Sequence, residues 1–205
     1  MISNRIGHRL DPYLYYLLKT IGGEHGNPNL FTFTGFLATL AASFLIFKGF
    51  WFFAGLTIIL SGLFDLLDGV VARKLGKVTA WGGFLDSVLD RYSDLLLLLA
   101  FLIYYLKKEE GGLVILTSIV SMGTVLIPYT RSKAESLKVQ CTIGLMERAE
   151  RTILLSVGTL FHWMEPILWI LAILTHFTVL QRIYYVWKKL RSCQRLMPNA
   201  KARTK

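Results

Sequence analysis

The sequence predicts an all-α integral membrane protein: six transmembrane helices preceded by an amphipathic helix at the membrane interface. Three observations carry this. The 205 residues are 54% hydrophobic and 18% charged, where an ordinary soluble domain carries about 25% charged residues. Residues 26–47 and 111–130 contain no Asp, Glu, Lys or Arg, and each run meets the roughly 20 residues that a spanning helix requires. The cationic residues collect in alternate connections between such runs. A soluble single domain is excluded. With only Cys141 and Cys193, so is a secreted disulfide scaffold.

Residues 1–22 repeat apolar groups at Ile2, Ile6, Leu10, Tyr13, Leu14, Leu17 and Leu18, with Arg5, Arg9 and Lys19 interspersed. This is the pattern of an amphipathic helix, lying on the cytoplasmic surface near anionic headgroups or packed against protein. The segment lacks the apolar run and cleavage site of a signal peptide. Residues 23–190 form the membrane domain, with spans at 28–47, 50–73, 82–106, 112–134, 150–164 and 166–189. Helices are expected because backbone polar groups in hydrocarbon must be satisfied within the segment. Pro28 and Pro166 fall in first helical turns, and Gly22, Gly23, Gly111 and Gly112 punctuate connections. The fifth span has a short uncharged run, 152–164, and crosses only with Glu150 and Arg151 at the interface or inside the bundle. Residues 191–205 read as a basic, flexible tail.

Of the 23 lysines and arginines, those of the N-terminal segment, the second loop (Arg73, Lys74, Lys77), the fourth loop (Lys138 among them) and the tail all fall on one side. Lys48, Lys107 and Lys108 fall on the other, and Arg91 lies within a span. The bias puts both termini in the cytoplasm, so both cysteines face a reducing compartment and are expected as free thiols. The net charge of +10 is then topology plus anion capture, with no nucleic acid as partner.

Five aspartates interrupt the second and third spans: Asp65, Asp68, Asp86, Asp90 and Asp94. Each costs about 2.5 to 3.5 kcal/mol at mid-bilayer even on the lenient insertion scale, so they require a wet or ion-filled interior. Asp65 and Asp68 are i, i+3 on one helix, and Asp86 and Asp90 are i, i+4 on the next, so each pair shares a face. A short loop makes the helices antiparallel neighbours, and four carboxylates converge. Oxygen ligands suit Mg2+ or Mn2+, and two such ions form the clamp used for in-line displacement at phosphorus. Gly69, Ala72 and Gly82 border these faces; they allow close helix approach and also leave room for a phosphate against the backbone. Arg73 is a cytoplasmic anchor or, with carboxylates beside it, the favoured phosphate ligand. His162 and His176 are isolated, an interfacial and a packed histidine.

From Asp65 the chain reads DLLDGVVARKLGKVTAWGGFLDSVLD. This resembles the signature of the CDP-alcohol phosphotransferases, D-x-x-D-G-x-x-A-R, eight residues, G-x-x-x-D-x-x-x-D, at all eight fixed positions. Six spans, the NPNLFT segment before the first and TVLQR at 178–182 are also similar to the family. The resemblance implies an enzyme that moves a phosphatidyl group from a CDP-linked lipid, CDP-diacylglycerol, to an alcohol and releases CMP. It implies that Asp65, Asp68 and Asp86 hold the metals with Asp90 close by, that Asp90 is the general base, and that Gly69, Ala72, Arg73 and Gly82 border the CDP. It further implies a homodimer in a prokaryotic cytoplasmic membrane, with a cytoplasmic active site. Asp94 lies outside the signature and is expected to pair with Arg91 or Arg73.

The segment 129–153 bears on the acceptor. Arg131, Lys133, Arg148 and Arg151, joined by Arg182 from the last span, place cations at the cytoplasmic mouth. They either pair with Glu135, Glu147 and Glu150 or bind an acceptor carrying its own phosphate. The Y-x-R-x-K-A-E and G-x-x-E-R-A-E-R elements look like the phosphatidylinositol-phosphate and archaetidylinositol-phosphate synthase branch. Inositol 1-phosphate is therefore the preferred acceptor, with glycerol 3-phosphate as the alternative. A prenyltransferase would have a different aspartate spacing, and an ion transporter would leave the arginines and the signature without a reason.

Overall fold

The computed structural model of the chain describes Tyr16, residues 27–76 and residues 78–196. The predicted surface helix at 1–22 and the tail beyond 196 lie outside these residues, Tyr16 apart. Among the described residues the secondary structure is entirely helical: α1 Pro28–Lys48, α2 Trp51–Lys74, α3 Ala80–Lys107, α4 Gly111–Ser136, α5 Arg148–Leu160 and α6 Met164–Leu196.

Local chemistry sets the boundaries. Asn27 caps α1 by accepting from the Asn29 amide, with Pro28 in the first turn, and Gly49 ends the helix at φ +82°, a conformation glycine adopts without steric cost. Thr79 caps α3, its hydroxyl accepting from the Gly82 amide at 3.0 Å. α1 buries Gly35, Thr39, Ala42 and Ile46, a helical stripe of mostly small residues, and leaves Phe33, Leu37, Leu40 and Phe44 outward. An outward apolar face with small residues inside is the arrangement hydrocarbon favours, since close backbone approach replaces the hydrophobic drive between helices. α1 packs on α2 and α3, α4 on α6, and the halves join through α2 with α5 and α3 with α4. Phe101, Leu98, Ile58, Leu168 and Leu171 fill the shared core.

Four of the described helices, α1, α2, α4 and α6, are long and apolar enough to cross a membrane. α3 has 28 residues, about 42 Å at 1.5 Å per residue, but it carries Asp86, Asp90, Arg91 and Asp94. The fifth element departs from its expected span of 150–164. α5 has 13 residues, a rise of about 20 Å against a hydrocarbon core of about 30 Å. The preceding loop makes up part of the depth by folding against α6. There the Met146 amide donates to Thr178 Oγ1 at 3.1 Å, and Arg182 Nε donates to the Ile143 carbonyl at 2.8 Å. The last helix overruns its expected end at 189 and takes in residues 191–196 of the expected flexible tail. No Pro or Gly interrupts it there, and Lys189 and Arg191 lie over the rings of Tyr185 and Trp187, spacings that support a helix.

The charged residues gather toward two ends of the bundle. Lys107 lies 3.5 Å over the Phe47 ring, near Trp51, Tyr104 and His162, an aromatic belt of the kind found at membrane interfaces. The aspartates and arginines lie at the other end. His176 is half-buried, its Nδ1 3.0 Å from the Ala172 carbonyl, and Cys141 is a buried free thiol.

α4 and α6 meet at Gly123, where an added Cβ would lie 2.7 Å from Thr175 Cβ. Gly123→Ala is expected to destabilise the bundle by about 1–3 kcal/mol through overpacking, read as a lower unfolding midpoint in detergent.

Candidate active site

Four helices deliver the site. α2 presents Asp65, Asp68 and Gly69, α3 presents Asp86, Asp90 and Asp94, α5 opens with Arg148 and Arg151, and α1 contributes its first turn. One ligand oxygen from each of Asp65, Asp68 and Asp86 lies within 4.8 Å of the others. Asp86 Oδ1 is buried with no hydrogen-bond partner. An acceptor-only oxygen held so is costly unless a cation sits beside it, and three converging carboxylates fit a hard divalent ion. Asp90 stands outside this trio. Its Oδ1 is 2.6 Å from Arg148 Nη1, and its Oδ2 is 3.8 Å from Arg91 Nη1.

Arg148 also contacts Asp65 and reaches to 4.0 Å from Asp94 Oδ1. Asp94 does not pair with Arg91 or Arg73 as expected; its partner is Arg151. The reason is direction: Asp94 sits one turn beyond Asp90 and faces inward to α5, while Arg91 is exposed and donates to the Ser87 carbonyl at 2.6 Å. Arg151 is 5% exposed, so of the two places open to it, interface or bundle, it takes the bundle.

The proposed anion-binding cations separate into four kinds. Arg131, Arg148, Arg151 and Arg182 line a polar cavity of about 350 Å³ together with Asp65, Asp68, Asp86, Asp90 and Asp94. Arg131 pairs with Glu135 at 3.0 Å, as one of the two readings anticipates. Arg182 is 2% exposed and donates to the carbonyls of Ile143 and Ile127, so it also ties α4 and the 137–147 loop to α6. Lys133 is exposed and is not among the residues lining that cavity.

A second cavity of about 120 Å³ is bordered by Asn29, Thr32, Asp68, Gly69, Ala72, Gly82 and Asp86. Two of its glycines, Gly69 and Gly82, are tight, while Gly83 has open space beside it. A Cβ on Gly69 would lie 3.1 Å from Arg73 Nη1, and one on Gly82 would lie 3.2 Å from Asn29 Oδ1. Thr32, which carried no assigned role in the sequence, donates to Asp68 Oδ2 at 2.7 Å. The signal was available in the NPNLFT segment, where Asn29 and Thr32 are i, i+3 on the first turn of α1. A third cavity, about 380 Å³, runs from Asp65, Asp94 and Arg148 between apolar walls of Ile58, Ile59, Leu97 and Val157.

A membrane bundle with clustered carboxylates and cations around a divided cavity is a site for phosphoryl chemistry at a lipid. The chain belongs to the CDP-alcohol phosphatidyltransferase family, whose model matches residues 26–181. It is therefore an enzyme of the class that forms phospholipids by phosphatidyl transfer. It is 38% identical over 166 residues to the archaetidylinositol phosphate synthase of Methanothermobacter thermautotrophicus, covering 78% of this chain and 83% of that protein. It is 31% identical over 184 residues to the phosphatidylinositol phosphate synthase of Mycobacteroides abscessus, covering 85% and 83%. The crystal structure of Mycobacterium tuberculosis phosphatidylinositol phosphate synthase with CDP-DAG bound superposes with a TM-score of 0.75 at 28% identity, over 86% of this chain and 92% of that one. A structure of the same enzyme in complex with manganese and citrate superposes with a TM-score of 0.72.

Three substitutions probe the geometry. Thr32→Val removes a hydrogen bond to a carboxylate worth about 1.5–3 kcal/mol, and Mn2+ binding is expected to weaken by about tenfold in a titration of free Mn2+ by electron paramagnetic resonance. Breaking the buried Asp94–Arg151 pair from one side is expected to cost about 3–5 kcal/mol. The double variant Asp94→Leu with Arg151→Met should cost less than either single change by thermal unfolding.

Proposed function

We propose that the protein transfers the phosphatidyl group of CDP-diacylglycerol to inositol 1-phosphate and releases CMP. The observation that carries this reading is the junction of three chemically different cavities at one carboxylate cluster. Asp68, Gly69 and Asp86 border both the small and the polar cavity, and Asp65 and Asp94 border both the polar and the apolar one. The glycine-lined cavity suits the cytidine diphosphate, with Gly69, Ala72 and Gly82 around it and Arg73, outside its lining, beside Gly69. The apolar cavity suits an acyl chain of the donor. The polar cavity, with its arginines, suits an acceptor that carries a phosphate.

Asp65, Asp68 and Asp86 would hold Mg2+ or Mn2+, with Asp90 adjacent to a second ion. Ions bound there supply charge neutralisation of the pyrophosphate and of the departing CMP. The chain's own groups do the rest. Asp90 removes the proton from the acceptor hydroxyl, whose oxygen bonds to the β-phosphorus as the bond from that phosphorus to the bridging oxygen of CMP breaks. Arg131, Arg148, Arg151 and Arg182 orient the acceptor's phosphate, and Arg forks suit phosphate geometry. Lys133, set apart from the cavity, attracts anions from outside it. The arginine-rich end is assigned to the cytoplasm from the asymmetry of lysine and arginine, in a prokaryotic cytoplasmic membrane. A homodimer follows the family resemblance and is tested by mass in detergent.

The test is CMP release from CDP-diacylglycerol in the presence of Mn2+ or Mg2+. Turnover is expected with inositol 1-phosphate and loss of it with free inositol or serine. Turnover confined to glycerol 3-phosphate would reassign the acceptor, and turnover with the unphosphorylated alcohols alone would remove the role of the arginines. Asp90→Asn is expected to lower the rate by about 10²–10⁴-fold with Mn2+ binding largely kept.

A further inference from the structure

Arg148 stands in the place of a cation. Its Nη1 contacts Asp65 Oδ1 and lies 2.6 Å from Asp90 Oδ1. Asp65 is at the same time one of the three carboxylates whose oxygens converge within 4.8 Å, so a guanidinium and a divalent ion have a claim on the same side chain. Arg148 also occupies one oxygen of the proposed base, because Asp90 Oδ1 paired with a guanidinium is not available to an alcohol. A second seat is close. Asp94 Oδ1 is 4.0 Å from Arg148 Nε, and that Nε is buried with no hydrogen-bond partner. Asp94 pairs with Arg151 through its other oxygen, so Oδ1 can receive Arg148 while Arg151 stays in place. Both arginines line the polar cavity with Arg131 and Arg182.

We propose that Arg148 is a displaceable counter-ion: a divalent cation binding at Asp65, Asp68 and Asp86 releases its guanidinium from Asp65 and Asp90, and Asp94 receives it. The release has two consequences. Asp90 Oδ1 is freed for the acceptor hydroxyl when the metal is in place, and the freed N–H groups of Arg148 turn to the cavity that takes a phosphorylated acceptor. Metal and acceptor binding are then positively coupled, and by linkage each tightens the other by the same factor. Asp94, outside the family signature, acts as a positioning residue. The acceptor half rests on the reading under Proposed function; the displacement half does not.

The deciding measurement is Mn2+ affinity of the full chain in detergent without substrates, by electron paramagnetic resonance. Arg148→Gln removes the competitor and is expected to bind Mn2+ more tightly than the wild type, by on the order of tenfold for a coupling of this kind. Arg148→Lys keeps the charge and should stay close to the wild type. Arg91→Gln deletes a neighbouring exposed charge that is 3.8 Å from Asp90 and should change affinity far less than Arg148→Gln. Equal or weaker Mn2+ binding in Arg148→Gln overturns the proposal, as does an equal gain in Arg91→Gln, which would mark a general charge effect. Inositol 1-phosphate should then tighten Mn2+ binding in the wild type and leave Arg148→Gln unchanged; a shift of equal size in both, or none in a wild type that releases CMP with this acceptor, overturns the coupling. Failure of the acceptor assignment itself shows as absent CMP release and leaves the substrate-free comparison intact.

Discussion

Carboxylates buried among membrane helices must be met by positive charge, and the arrangement that meets this demand organises the molecule. Of the five aspartates on α2 and α3, Asp65, Asp90 and Asp94 are answered by two arginines one turn apart on α5, and Asp68 by the Thr32 hydroxyl. A lone ion in low dielectric is costly, and removing one partner of a buried pair leaves the other uncompensated. This constraint explains why α5 begins where it does. Arg148 and Arg151 lie in its first turn, so the helix must start at the depth of the aspartates, and the loop before it must fold down against α6 to reach that depth. Arg182 secures that loop by donating to Ile143 while also donating to Ile127 on α4.

The same pairing connects stability to chemistry. Charges that balance one another in the protein alone are the charges that a metal, a pyrophosphate and a phosphorylated acceptor would rebalance. Asp68 shows a finer version. It is 8% exposed, and Thr32 on α1 donates to it, so the helix that otherwise faces lipid also fixes one oxygen of the carboxylate cluster. The small residues at Gly69 and Gly82 permit close approach, because a side chain at either would meet Arg73 or Asn29.

The family relationship and the site geometry reinforce each other at different levels. Membership rests on residues 26–181 as a whole and establishes the class of reaction. The geometry distinguishes among the cations that sequence spacing had grouped: Arg148 and Arg151 face the carboxylates, Arg131 pairs at the rim, Arg182 is buried in backbone contacts, and Lys133 stands outside.

Much was legible in the sequence because the governing signals are local. Uncharged runs define helices in lipid, i, i+3 and i, i+4 spacing puts Asp65 with Asp68 and Asp86 with Asp90 on shared faces, and alternating basic connections separate the two ends. The helix start at Pro28 follows from the chemistry of a single residue, whereas the start of α3 at Ala80, two residues before its expected position, is set by the Thr79 cap. The partners of Asp94, the short α5 and the role of Thr32 were decided by tertiary structure alone. Each depends on contacts between residues 36 to 57 positions apart, and a helix pattern records which face a residue occupies without recording which helix lies opposite. Sequence determined that charge would be buried here; the packing of α5 and α1 against α2 and α3 decided which charge answers which.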